Sequence, residues 1–176
     1  MSRLADALAG IDAANALDPG RDAGRPAALV YGERMSAELG RLFPGASEVL
    51  QIAARGQHVE RWTLPRSDFP EGKAGYHAWR QEQGRRHARR VAGIMAAAGY
   101  GPQDCARAGV LLRKEGIKRD PEVQALEDVI CFVFLRWHLD GFAEGRDDIV
   151  GIVARLDDEM RHLVSRPDVG RRQVAD

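Results

Sequence analysis

Three residues of the kind that activate water or hold a metal stand far apart in this sequence: His58, His87 and Asp128. Imidazole and carboxylate groups transfer protons and ligate divalent ions, so a fold that gathers them could build a hydrolytic centre. A second set is cationic and aromatic. Arg55, Arg61, Arg66 and Arg80 bracket a stretch rich in proline and glycine, with Trp62 and Trp79 interleaved. Planar guanidinium forks take phosphate or carboxylate bidentately and stack on aromatic rings. Lys114 and Glu115, after the apolar Val110-Leu111-Leu112, complete the candidate substrate contacts together with Arg55 and Trp62.

Each of these has a plainer reading. His58 follows Ala54 by one helical turn and shares its face, which equally suits a helix-end histidine bonded to a carbonyl. His87 lies on the row Arg80, Gly84, Val91, Ile94, but Arg85, Arg86, Arg89 and Arg90 surround it and could form a solvated face. A lysine at a helix C-terminus commonly serves the dipole. The Arg–Trp set could be surface packing. His77, His138 and His162 read as structural or exposed.

Asp128 belongs to the stretch that organises the chain. Asp120 can N-cap a helix and Pro121 fits its first position. From Val123 to Leu139 the apolar residues cover most of the circumference, which predicts a buried central helix over about 121–143. Glu127, Asp128, Arg136 and Asp140 interrupt it, so it is not a membrane span. A lone buried carboxylate is costly, so Asp128 must be paired, neutralised or metal-bound.

The other elements follow from caps and breakers. Ser2 can cap a helix carrying Leu4, Leu8, Ile11 and Ala14. Asp18-Pro19-Gly20 ends it, and a polar loop runs to Pro26. A second helix is expected over 27–43 and a third, capped by Ser47, to Arg55. Two prolines and two glycines forbid a regular element over 63–75, and a loop of that length is often functional. Helices over 74–98 and 103–115 are expected next, the latter started by Pro102. A last amphipathic helix over about 147–164 and a disordered tail over 166–176 close the chain. No period-2 strand appears. The class is all-α: a single domain over 1–165, with six to seven helices around the central one.

Composition removes several functions. With 26 basic and 26 acidic residues the net charge is zero, so no basic field favours nucleic acid. Cys105 and Cys131 lack metal-ligand spacing and read as reduced core thiols of a cytoplasmic protein, since the N-terminus shows no signal-peptide run. A Gly-rich phosphate loop, a nucleophile elbow, a zincin helix and paired CxxC motifs are all missing, and no nucleotide-cofactor motif is present.

Over about residues 11–160 the sequence resembles the family catalogued as domain of unknown function 4202. The resemblance lies in Leu29-Val-Tyr-Gly-Glu-Arg-Met, Ala53-Ala-Arg-Gly-Gln-His58, Arg61-Trp-Thr-Leu-Pro-Arg66, Gly75-Tyr-His-Ala-Trp-Arg80, His87, Arg113-Lys-Glu, Lys118-Arg-Asp-Pro-Glu, and Leu126-Glu-Asp-Val-Ile-Cys-Phe-Val-Phe-Leu135. More distantly it is similar to the HD superfamily of helical metal-dependent phosphohydrolases and oxygenases. There His58 matches the histidine of the His-Asp pair, His87 the later histidine and Asp128 the last aspartate. Tyr31 and Val59 stand where the other two ligands would be.

That likeness implies an HD-like bundle and a divalent metal on His58, His87 and Asp128. The expected pocket has Asp128 as floor, the two histidines as walls, and Arg61, Arg66, Arg80 and Lys114 as rim. Three functions remain open: a hydrolase of a small anionic, phosphorylated metabolite; a non-catalytic module that binds such a metabolite; and an HD-type metal oxygenase. Oligomeric state is not readable from the sequence.

Overall fold

The computed structural model describes residues 2–139. It is all-α in class. Six α-helices lie among the described residues: α1 (Arg3–Asn15), α2 (Ala27–Leu42), α3 (Glu48–Arg55), α4 (Gly72–Ala97), α5 (Pro102–Leu112) and α6 (Pro121–Trp137). The helix expected over 147–164, the tail from 166 and positions 140–143 of the central stretch lie outside the described residues.

The helix starts follow the caps. Ser2 Oγ accepts from the Ala5 amide, and Ser47 Oγ from the Leu50 amide at 3.1 Å. Asp120 Oδ1 accepts from the amides of Glu122 and Val123. Each supplies an acceptor to amides that have no partner in the first helical turn.

Three local features differ from expectation, the first being that the stretch 63–75 holds a 3₁₀ turn at Arg66–Asp68 and the start of α4 at Gly72. The segment before Pro26 is not a plain loop: β1 (Arg21–Asp22) pairs antiparallel with β2 (Arg25–Pro26). Ala23 (φ 49°) and Gly24 (φ 79°) both turn left-handed between them, as a two-residue hairpin turn requires. Such a strand is too short to show alternation. Helix α5 stops at Leu112 instead of reaching residue 115. The Lys114 amide bonds Leu111 O, the Glu115 amide bonds Val110 O, and Lys114 itself is left-handed (φ 59°). This is a Schellman cap with lysine at the position usually given to glycine. Gly99 holds the corresponding place after α4, with φ 89°.

The core is continuous. Ile11 of α1, Met35 and Leu39 of α2, Ile52 of α3, Met95 of α4, Leu111 of α5 and Val129 of α6 are all fully or almost fully buried. Helix α4 packs along α5; α2 packs on α3 and α6; α1 lies across α2, α3 and α4. Helix α6 is buried on one stripe, Val123, Leu126, Val129 and Val133, and Trp137 is exposed. The all-round burial expected of it is therefore not found among the described residues: α2, α3 and α5 reach it from one side, and Phe132, Phe134 and Leu135 are half-buried. No helix among the described residues is long and apolar enough to cross a membrane.

Candidate functional site

The stretch between Gly56 and Gly72 wraps from α3 to the start of α4 and is held by α4 side chains. Gln83 Nε2 donates to Arg61 O (2.9 Å) and Leu64 O (3.1 Å), and Trp79 Nε1 donates to Leu64 O (3.0 Å). Glu60 is left-handed (φ 52°) just before the short 3₁₀ turn Arg61–Thr63. A non-glycine residue in that conformation is strained and persists only where its surroundings fix it. On the far side, Gly84 lets α4 approach the end of α5. A Cβ there would stand 3.3 Å from Leu112 O. The two approaches enclose a cavity of about 810 Å³.

Six of the expected residues line it: His58, Arg61, Arg80, His87, Lys114 and Glu115. His58 follows α3 in a turn, and its ring stacks on Tyr31 at 3.6 Å and 9°. Burial pushes its pKa well below the ordinary 6.5, and Arg61 and His87 push the same way. His87, on α4, is buried (4% exposed), and its Nε2 has no hydrogen-bond partner among the described residues. Its pKa is pushed down to about 3, first by burial and then by the charges of Arg61 and Lys114. Both rings are therefore neutral at pH 7, because their sites disfavour a further cation.

The cations around them differ in their partners. Lys114 is paired with Glu127. Glu115, a cavity-wall acid, is held by Arg113 at 2.6 Å. Arg61 sets its guanidinium carbon over the Trp79 ring, 4.5 Å from its centroid, and no carboxylate among the described residues pairs with it. Arg80 makes one long contact to Tyr76 Oη at 3.4 Å. Burial, and then Arg80, lower the Arg61 pKa, so the two guanidinium groups repel across the cavity. Elsewhere on the described surface arginines are typically matched to acids: Arg25 to Glu33, Arg34 to Asp22, Arg107 to Asp120 and Glu122.

The remaining expected residues are placed differently. Arg55 makes a two-bond pair with Asp12 (2.6 and 2.7 Å) and ties α3 to α1 rather than lining the cavity. Arg66 donates to the carbonyls of Phe69 and Pro70, both at 2.8 Å, and shapes its own loop. Trp62 lines a smaller adjoining cavity. Asp128 is buried (6% exposed) and accepts from Gln124 Nε2 at 2.8 Å, but it does not line the cavity as its floor. Among the described residues no three His, Cys, Asp or Glu side chains are grouped to share a metal ion. His58, His87 and Asp128 do not form such a group among the described residues.

The family model described as Domain of unknown function (DUF4202) matches residues 5–165. The chain belongs to this family. No curated protein and no solved structure matches it.

Several residues of this DUF4202 chain reach the cavity without having been expected there. Tyr31, from α2, carries the His58 stack; burial pushes its pKa up to about 12. His138 closes the same side, its ring 6.0 Å from Tyr31, and its buried Nε2 has no hydrogen-bond partner among the described residues. His77, Gln83 and Arg113 also line the wall. Helical periodicity could have found Gln83, which lies one turn before His87 on α4. Nothing local announces Tyr31 or His138, because each arrives from an element distant in sequence.

Proposed function

We propose that the protein binds a small anionic metabolite, phosphorylated or carboxylated, in the cavity between α4 and the α5–α6 turn. One observation carries this reading: Arg61 and Arg80 face the cavity together and neither has a carboxylate partner among the described residues. A half-buried guanidinium without a counter-ion, beside another of like charge, favours an anion in the space between them. Lys114, held by Glu127, adds a third positive centre on the opposite wall. The neutral histidines contribute hydrogen bonds there without adding repulsion or charge.

Phosphate or sulfate should raise the melting temperature of the full chain. A ligand at one hundred times its Kd adds about 2.7 kcal/mol. That corresponds to several degrees for a domain of this size. Arg61→Ala should abolish most of the rise, and Arg25→Ala, which breaks the exposed Glu33 pair, should leave it. Equal responses in the two variants would sink the proposal.

A hydrolase reading has one observation in its favour, the unpartnered Nε2 of His87. A neutral imidazole beside a bound phosphate can accept a proton from an attacking water. Turnover of a phosphate ester that disappears in His87→Gln while binding persists would support it. Tight binding without turnover would leave the protein a binding module.

A further inference from the structure

The large cavity is not alone. A second one, about 360 Å³, opens on the other side of the Tyr31–His58 stack. Four side chains, Tyr31, His58, Arg61 and His138, line both, so the two spaces share one wall. Their chemistry differs. The smaller cavity is floored by Ala28 and Leu64, both buried, and sided by Trp62, Pro65 and Trp79. Its acids, Asp18 and Asp22, are already engaged: Asp18 accepts from the amides of Gly20 and Ala28, both at 2.8 Å, and Asp22 is paired with Arg34.

Charge is therefore sorted across the wall. Among the described residues the larger space has the cations without a carboxylate partner, while the smaller has aromatic and aliphatic walls, two carboxylates at its edge, and Arg66, whose guanidinium is taken up by the carbonyls of Phe69 and Pro70. Arg61 stands at the junction, its guanidinium carbon 4.5 Å from the centroid of the Trp79 ring. A flat ring entering beside Trp62 would meet aromatic and guanidinium surfaces, both of which favour stacking. A second phosphate would meet Asp18 and Asp22. Sites that bury a small ligand combine an apolar space with a few polar groups fixing orientation, and the pair of cavities has that division.

We propose that the two cavities form one bipartite site, for a ligand with a phosphate or carboxylate at one end and an uncharged aromatic ring at the other. This rests on the anion-binding reading above and adds the shape and polarity of the rest of the ligand. The anion sits by Arg61 and Arg80. The ring lies past Tyr31 and His58, between Trp62 and Leu64.

The test titrates the full chain with inorganic phosphate, methyl phosphate and 1-naphthyl phosphate by calorimetry. The naphthyl ester should bind at least tenfold more tightly than the methyl ester. Trp62→Ala should bring that ratio close to one. Ala28→Leu, which fills the smaller cavity from α2, should do the same and guards against a folding defect in the first variant. Arg80→Ala should weaken both esters by a similar factor. Naphthalene bisphosphate, charged at both ends, should bind less tightly than the monophosphate. If phosphate binds but the two esters are equivalent, or if their ratio survives both Trp62→Ala and Ala28→Leu, the bipartite site is overturned while the anion site stands. If no phosphate species binds, both readings fall together.

Discussion

His87 faces the cavity in an environment far from the one its imidazole meets in water. Its pKa is about 3 in the folded chain against 6.5 for an unperturbed imidazole, mainly through burial. Between those values the unfolded chain binds a proton that the folded chain refuses. Stability therefore rises with pH across this window, and is lost as pH falls from about 6.5 toward 3. In His87→Gln the wild-type difference in unfolding free energy between pH 7 and pH 4 should shrink by roughly 1–3 kcal/mol. His58, depressed in the same direction, keeps part of the slope, so the readout is the difference between the two proteins. Urea unfolding at the two pH values measures it; parallel curves would show that His87 is not held neutral.

At the scale of elements, the site depends on where helices start and stop. Lys114 faces the cavity because α5 ends in a Schellman cap with lysine in the left-handed position. The following helix is fixed by Asp120, which caps α6 and accepts two bonds from Arg107 of α5. That arginine holds the Asp120 pKa down at about 2, with the amide bonds of Val123 and Glu122 adding to the effect. Asp120→Ala should destabilise the protein by about 1–2 kcal/mol, the ordinary cost of losing an N-cap. Asp120→Asn, which retains a capping oxygen but no charge, should recover part of it. Thermal melts of the three proteins at pH 7 test this, and an unchanged alanine variant would mean that α6 is held by packing alone.

For the molecule as a whole, long-range ion pairs fasten α1 to the rest of the bundle. Arg55 bonds Asp12 with a side chain only 14% exposed, and Arg3 reaches Glu48, which also accepts from Tyr100 Oη. Arg55→Ala should cost about 1–3 kcal/mol, between an exposed pair and a fully buried one. It should leave the rise in melting temperature caused by phosphate intact, because Arg55 does not line the cavity. If Arg55→Ala kept its stability but lost the phosphate response, the arginine would belong to the site after all.

Ser2, Ser47 and Asp120 were legible as caps, and Pro121 as a helix start, because a cap bonds amides two or three residues away and its chemistry is local. Apolar spacing likewise placed Ile11, Met35, Leu39 and Val129 inside. Helical placement brought His58 and His87 forward as candidates and the Arg–Trp clustering Arg61 and Arg80, and the four line one cavity. The hairpin at Ala23-Gly24 left no signal, since two residues cannot alternate, and the left-handed turn at Lys114 was hidden because such backbone is usually marked by glycine. Partner choice was the larger gap. Arg55 and Arg61 look alike in the sequence, but Asp12, 43 residues away, engages the first and no described acid engages the second. Asp128 was correctly placed indoors and Gln124, one turn earlier on α6, is its helical neighbour, yet its helical angle could not say that it would not line the cavity. The sequence by itself determined which segments are helical and which faces are apolar, because these depend on bonds and spacings within a few residues. Only the tertiary structure decided which cations are left unmatched around a shared space, because charge pairing is set by how helices distant in the chain pack together.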